Sequence, residues 1–144
     1  MDVTIREIDA NDYIDILPLW QNQLSNRAVN AENIIDHYER LKNDERYKTF
    51  VAFADDKTVG FISSAQSFGI GLEVGFTHIT ALAVQKEYQN KGIGTRLLTY
   101  MEDYAKARGV QCIILKCNVG STDAHAFYDR NGYKKDSWCF EKNL

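Results

Sequence analysis

Hydrophobic positions recur along this chain with two periods, and the switches between them mark the elements. Val3, Ile5 and Ile8 stand among polar neighbours and predict a short first strand. Asn11-Asp12 can cap a helix carrying Ile14, Leu17 and Leu24 on one side, with Pro18 set to kink or split it. Asn30-Ala31-Glu32 opens a second helix, with Ile34, Ile35, Tyr38 and Leu41 at helical spacing. Thr49-Phe50-Val51-Ala52-Phe53-Ala54 reads as a buried strand, apolar after its first residue. Asp55-Asp56-Lys57 is a turn signal, and 59–64 reads as the returning strand of a hairpin. After a loop at 67–71, residues 73–84 are rich in β-branched and aromatic side chains and predict a long strand. Leu97, Leu98, Met101 and Ala105 give residues 92–108 a helical stripe, which Gly109 is placed to end. A strand at 112–115, a short helix at 121–131 ending near Gly132, and a closing strand at 133–140 complete the chain.

The order is strand, two helices, a three-strand meander, helix, strand, helix, strand. It predicts an α/β (α+β) sheet with helices on its faces. With 144 residues and no repeat, linker or composition break, residues 1–144 are expected to form a single domain. The net charge of -3 speaks against a nucleic-acid partner held by phosphate attraction. No apolar run approaches the ~20 residues that cross a bilayer, and the first residues do not read as a signal peptide. Cys112, Cys117 and Cys139 are odd in number and form no Cys-x-x-Cys pair, and the three histidines are scattered. A reduced, cytoplasmic, metal-free protein is therefore expected, with no membrane partner.

The most informative stretch is Gln89-Asn90-Lys91-Gly92-Ile93-Gly94-Thr95, between a predicted strand and a predicted helix. Two glycines let the backbone approach a ligand closely. The first helical turn leaves N–H donors unpaired, and with the helix dipole they suit a pyrophosphate. Lys91 adds a positive charge. The stretch is no Walker loop, since Gly-Lys-Ser/Thr does not follow, and Leu97 stands where a dinucleotide fingerprint needs its third glycine. Taken alone, the turn fits a glycine-rich helix start without a ligand equally well.

Gln-x-x-Gly-x-Gly in this setting resembles the coenzyme A pyrophosphate loop of the GNAT N-acetyltransferase superfamily. Leu82-Ala83-Val84 followed by Tyr88-Gln89-Asn90-Lys91-Gly92-Ile93-Gly94 is similar to that family's strand-to-loop signature. Ala124-His125-Ala126-Phe127-Tyr128 with Asn131-Gly132-Tyr133 resembles its late helix-and-strand motif. The chain departs from the pattern at Lys86, where the family often has proline. It departs again at Ser121, where the family often has asparagine; Asn118 stands three residues earlier. The resemblance implies a mixed, mostly antiparallel central sheet flanked by about four helices. It also implies an acetyl-CoA-dependent enzyme that moves an acetyl group to a primary amine by direct attack in a ternary complex.

By that resemblance, Gln89, Asn90, Lys91, Gly92, Ile93, Gly94 and Thr95 hold the pyrophosphate. The backbone of Leu82, Ala83 and Val84 runs beside the cofactor arm, and one of its N–H groups polarises the acetyl oxygen. Asn118 and Ser121 are the candidates for contacts to the pantetheine. Tyr128 falls at the position of the acid that reprotonates the thiolate. A lysine-like amine needs roughly 4–5 kcal/mol to reach its neutral form at pH 7, so a base would help. His78, eleven residues before Gln89, stands where some members carry a glutamate base, and Glu73 lies near the start of the same strand. His78, Glu73 and water stay open as the base. Strand alternation puts His78, Thr80, Leu82 and Val84 on one face.

The acceptor site is expected between the first two helices and the loop near 67–72. Trp20, Tyr38 and Phe68 would line it, and Glu32, Asp36 and Glu73 would draw in a cation. The acceptor is a small-molecule or protein amine. The last strand, with Trp138 and Phe140, is the candidate edge for a homodimer. The competing reading is a catalytically silent module that binds acyl-CoA.

Overall fold

The computed structural model describes residues 1–71 and 75–144, which fall into two compact units, 1–114 and 115–144. In the first, β1 (Val3–Glu7), β2 (Tyr47–Ala54), β3 (Lys57–Ser67) and β4 (Phe76–Val84) pair antiparallel in chain order. The short β5 (Ile113–Leu115) follows β4 in the five-stranded sheet. The β2–β3 hairpin turns on Asp55 and Asp56, both at positive φ (49° and 67°). Aspartate tolerates this conformation, and two such residues in succession match the twist of the flanking strands. The register of β3 against β4 slips by one residue, with Ser64 opposite Ile79 and Ser63 opposite Ala81, so Thr80 is the extra residue of a bulge.

Adjacent residues of β2 face opposite sides, and each side carries a helical layer. On one side α1 (Tyr13–Pro18), a π-helical segment (Leu19–Gln23) and α2 (Asn33–Leu41) cover the sheet. Ile16, Leu19, Val29 and Ile34 pack there with Val51, Phe61, Ala81 and Ala83. On the other side α3 (Ile93–Ala107) buries Ile93, Leu97, Leu98, Met101 and Ala105. Phe50 meets the rings of Tyr100 and Tyr104 at 4.8 and 5.4 Å. Each large side chain fully buried on α3 contributes about 1.5–3 kcal/mol.

Local expectations are refined in three places. Proline cannot donate into the helical ladder, and α1 ends at Pro18. The chain continues in the wider π turn, closed by Leu24 N–H to Leu19 O at 3.2 Å. Asp12 does not cap α1 with its side chain. Its carboxylate accepts from Arg6 Nη1 and Nη2 at 2.6 and 3.0 Å and from Asp9 N–H at 2.8 Å. Asn30 does open α2: its Oδ1 accepts from the N–H groups of Glu32 and Asn33, while Asn33 Oδ1 accepts from Asn30 N–H.

The second unit carries α4 (Thr122–Arg130), where Tyr128 lies between the rings of Phe127 and Tyr133 at 5.1 and 5.7 Å. The strand expected at 133–140 is not formed. Among the described residues no strand pairs with this segment's backbone, and Trp138 and Phe140 remain 84% and 94% exposed. Among the described residues no helix is long and apolar enough to cross a membrane.

Candidate active site

The centre of the site in the first unit is the passage from β4 to α3. Gln85 pins the strand end, its N–H donating to Val59 O at 2.8 Å and its Nε2 to Thr58 O at 2.9 Å. A single 3-10 turn, Lys86–Tyr88, then reverses the chain. Asn90 (φ 60°) and Gly92 (φ 82°) take left-handed conformations that bring the chain into α3. The ladder of α3 begins with Arg96 N–H to Gly92 O at 3.0 Å, so the N–H groups of Ile93, Gly94 and Thr95 precede it. Among the described residues no side chain caps these donors, and no acidic residue stands in the first turn. A Cβ on Gly92 would meet no atom within 4 Å, so the turn leading into these donors is open on that side. Buried Ile93 anchors the turn, while Thr95 and Lys91 are exposed, Lys91 Nζ lying 5.5 Å from the Tyr88 ring. Uncapped donors at the positive end of a fifteen-residue helix, with no competing carboxylate, fit a pyrophosphate.

Gln89 does not point away from the protein. Its Nε2 donates to Val84 O at 2.9 Å and to Gln23 Oε1 at 3.2 Å. The first bond closes the turn onto the last carbonyl of β4. The second reaches the end of the π-helical segment, a link between residues 66 apart that no local motif announces.

On β4 the alternation holds. Thr77, Ile79, Ala81 and Ala83 are buried, whereas His78, Leu82 and Val84 are half-buried and Thr80 is exposed on the other face. The side chain of Ala83 belongs to the core and leaves only its backbone for a ligand. β5 has three residues against nine in β4, so it can pair only part of β4's second edge, where Thr77 N–H donates to Cys112 O at 3.1 Å. His78 lies roughly 13 Å up the strand from Leu82, at ~3.3 Å per residue. Glu73 lies outside the described residues. Of the expected acceptor wall, Trp20 packs on Phe61 at 5.2 Å, Tyr38 stacks on Tyr13 at 5.9 Å, and Phe68 is exposed. A hollow of about 380 Å³ lined by Glu7, Phe50, Tyr100, Asp103 and Tyr104 holds none of the predicted site residues.

The second unit holds the remaining candidates. Burial, and after it the neighbouring Cys117, pushes the Tyr128 hydroxyl up to about 12, so it stays protonated through neutral pH. Asn118 engages through its main chain: its carbonyl accepts from His125 Nε2 at 2.6 Å and from Ser121 N–H at 3.1 Å. Ser121 precedes α4 without capping it by its side chain, and its carbonyl accepts the first helical N–H, from His125, at 3.0 Å. The role of His125 in holding this turn was not visible from its spacing.

Comparison with known proteins bears on what this arrangement serves. The sequence profile of the acetyltransferase (GNAT) family matches residues 12–133. The aminoalkylphosphonate N-acetyltransferase of Salmonella typhimurium is 30% identical over 138 residues, covering 92% of this chain and 82% of that protein. The crystal structure of a transcriptional regulator from Bacillus halodurans C-125 superposes with a TM-score of 0.88 at 21% identity, over 99% of this chain and 100% of that one. The structure of AAC(6')-Iy in complex with the bisubstrate analog CoA-S-monomethyl-acetylneamine gives a TM-score of 0.87 at 13% identity, over 100% and 99%. At those identities the two structures speak for the fold. The profile match and the Salmonella relative, both spanning most of the chain, show that this protein belongs to the acetyltransferase (GNAT) family.

Proposed function

We propose that this chain transfers the acetyl group of acetyl-CoA to a primary amine by direct attack in a ternary complex. The observation that carries this reading is the start of α3 behind Gly92, where the N–H groups of Ile93, Gly94 and Thr95 precede the helical ladder with no acidic residue in the first turn. The family match runs across the boundary between the two units, which supports one acetyl-transfer domain over residues 1–144.

Acetyl-CoA supplies an acyl thioester. The N–H groups of Ile93, Gly94 and Thr95 hold its pyrophosphate, with Asn90 and Lys91 beside them and Gln89 fixing the turn. The backbone of Leu82, Ala83 and Val84 lines the arm and offers an N–H to the carbonyl oxygen, and Asn118 and Ser121 serve the pantetheine. The amine nitrogen forms the C–N bond as the C–S bond breaks. The amine's surplus proton passes to His78, to Glu73 or to water. Tyr128 donates its proton to the departing sulfur. A hydroxyl at about 12 donates uphill to an ordinary thiolate near 8.5. The step therefore requires the same burial to raise the sulfur's proton affinity.

The acceptor class is a small-molecule or protein amine. The Salmonella relative is named for an aminoalkylphosphonate, which supports the small-molecule class. We place the protein in the cytoplasm, where reduced thiols such as its three free cysteines persist. A homodimer through the exposed 133–140 segment is the assembly to test. The second reading is a silent acyl-CoA-binding module, and turnover with any amine removes it.

The test is calorimetric titration of acetyl-CoA into wild type, Gly92→Glu and Thr95→Glu. A glutamate in the first turn favours the helix through the dipole while repelling a bound pyrophosphate. Thr95→Glu is therefore expected to melt no lower than wild type and to bind at least tenfold more weakly. Gly92→Glu also strains a left-handed residue, so Thr95→Glu is the cleaner probe. A folded wild type that does not bind at millimolar ligand overturns the reading.

A further inference from the structure

We propose that Gln23 is a positioning residue through which the cofactor turn and the helical arm 13–23 hold one another. The proposal rests on the acetyl-CoA reading above and adds a coupling between the cofactor turn and the arm expected to wall the acceptor site.

The hydrogen-bond roles are determined by chemistry. Val84 O can only accept, so the Gln89 atom 2.9 Å from it must be the amide nitrogen. That nitrogen has two hydrogens. The second is directed to Gln23, whose Oε1 at 3.2 Å must then be the acceptor. Gln89 thus spends both donors on the protein, one on the strand and one on the arm, and its orientation leaves no flipped alternative.

Gln23 stands at a mechanically distinct place. It is the last residue of the π-helical segment, which begins directly after Pro18. Beyond it the chain is held by Leu24 N–H to Leu19 O at 3.2 Å and Asn26 N–H to Trp20 O at 2.9 Å. Ser25 between them takes a positive φ of 54°. An irregular turn closed by a wide ring and a strained residue is weaker than α-helix, so an outside tether carries weight there. Trp20, three residues before Gln23, packs its ring on Phe61 of β3 at 5.2 Å. A pyrophosphate seated on the N–H groups of residues 93–95 immobilises the turn; through Gln89 and Gln23 that order extends to the arm bearing Trp20. Ordering passed between two elements in this way is cooperativity carried by reduced motion.

Amide hydrogen exchange, with coenzyme A as the probe, tests this. The reporters are the amides of Leu24 and Asn26, each with a defined acceptor. In wild type, saturating coenzyme A is expected to slow their exchange at least threefold. Gln23→Leu keeps the side chain's size and removes the acceptor. It is expected to bind coenzyme A within threefold of wild type by calorimetry and to lose the ligand-induced slowing. Gln23→Glu restores an oxygen acceptor and is expected to regain it, which a bulk packing role would not require. Each variant is compared with its own ligand-free state, so a shift in basal stability does not enter. Equal slowing in Gln23→Leu overturns the proposal, as does wild type that binds coenzyme A without slowing, or failure of Gln23→Glu to regain it. Absence of coenzyme A binding in wild type instead overturns the acetyl-CoA reading on which the proposal stands.

Discussion

Gly60 and Leu97 meet so closely that the strand has no room for a methyl group. A Cβ built on Gly60 would lie 3.2 Å from Leu97 Cδ1 and 2.9 Å from the carbonyl oxygen of Ala83. Leu97 is fully buried on α3, and Ala83 is in the β4 segment that leads to the glycine turn at 89–95. This contact therefore sets how near α3, and the donors at its start, come to the end of β4.

Gly60→Ala should accordingly destabilise the protein by about 1–3 kcal/mol, the usual cost of overpacking a close-packed core. Because relief must come from α3 or β4 moving, acetyl-CoA affinity should fall as well. Chemical denaturation and calorimetry on the same preparation check both. A variant of unchanged stability and affinity would mean that α3 is not seated by this contact.

Tyr128 should reveal itself at alkaline pH. Its folded value, about 12, lies above the ordinary tyrosine value of 10, with burial the first cause. A group raised on folding contributes stability that is full below its unfolded value and is lost as pH rises toward its folded one. Stability should therefore decline between pH 10 and 12, and Tyr128→Phe should remove that part of the decline. If Tyr128 is the acid, the same variant should lower kcat roughly 10- to 100-fold with little change in KM for acetyl-CoA. Thermal melts across pH 8–12 and steady-state rates at pH 7 check the two halves separately.

Asp12 should do the reverse at acid pH. Burial pushes its carboxyl up, but the bonds from Arg6 and from Asp9 N–H outweigh this and hold it below the ordinary value of 3.8. A lowered group stabilises the fold above its unfolded value and loses that contribution as pH falls through its folded one. The contribution of the Arg6–Asp12 pair should thus be intact at pH 5 and fade below about pH 4. Arg6→Leu leaves a buried carboxylate with only Asp9 N–H, and should cost about 1–3 kcal/mol at pH 7 and much less at pH 3. Urea titrations at the two pH values check it.

How much was legible depended on the range of the physics involved. The turn at 89–95 could be read directly, because glycine freedom, a left-handed φ and free donors at a helix start are properties of seven consecutive residues. The stripe on α3 and the face shared by His78, Leu82 and Val84 followed from period alone. Asp12 does stand at the N-cap position of α1, as expected, but its carboxylate does not bond the helical N–H groups beside it. Arg6, on the preceding strand, outcompetes them with two charged bonds once β1 and α1 are brought together. The segment 133–140 has strand-like residues, yet a strand requires a neighbour's backbone, and composition cannot supply one.

The amino-acid sequence by itself therefore determined the order of the elements as far as the late helix α4, the glycine turn at the start of α3 and its family signature. Each of these is written in short-range spacing. Tertiary structure alone decided that Gln89 spans Val84 and Gln23, that Gly60 admits Leu97, and that Thr80 is a bulge. These depend on the distance between segments far apart in the chain, and packing of the two helical layers on the sheet sets that distance.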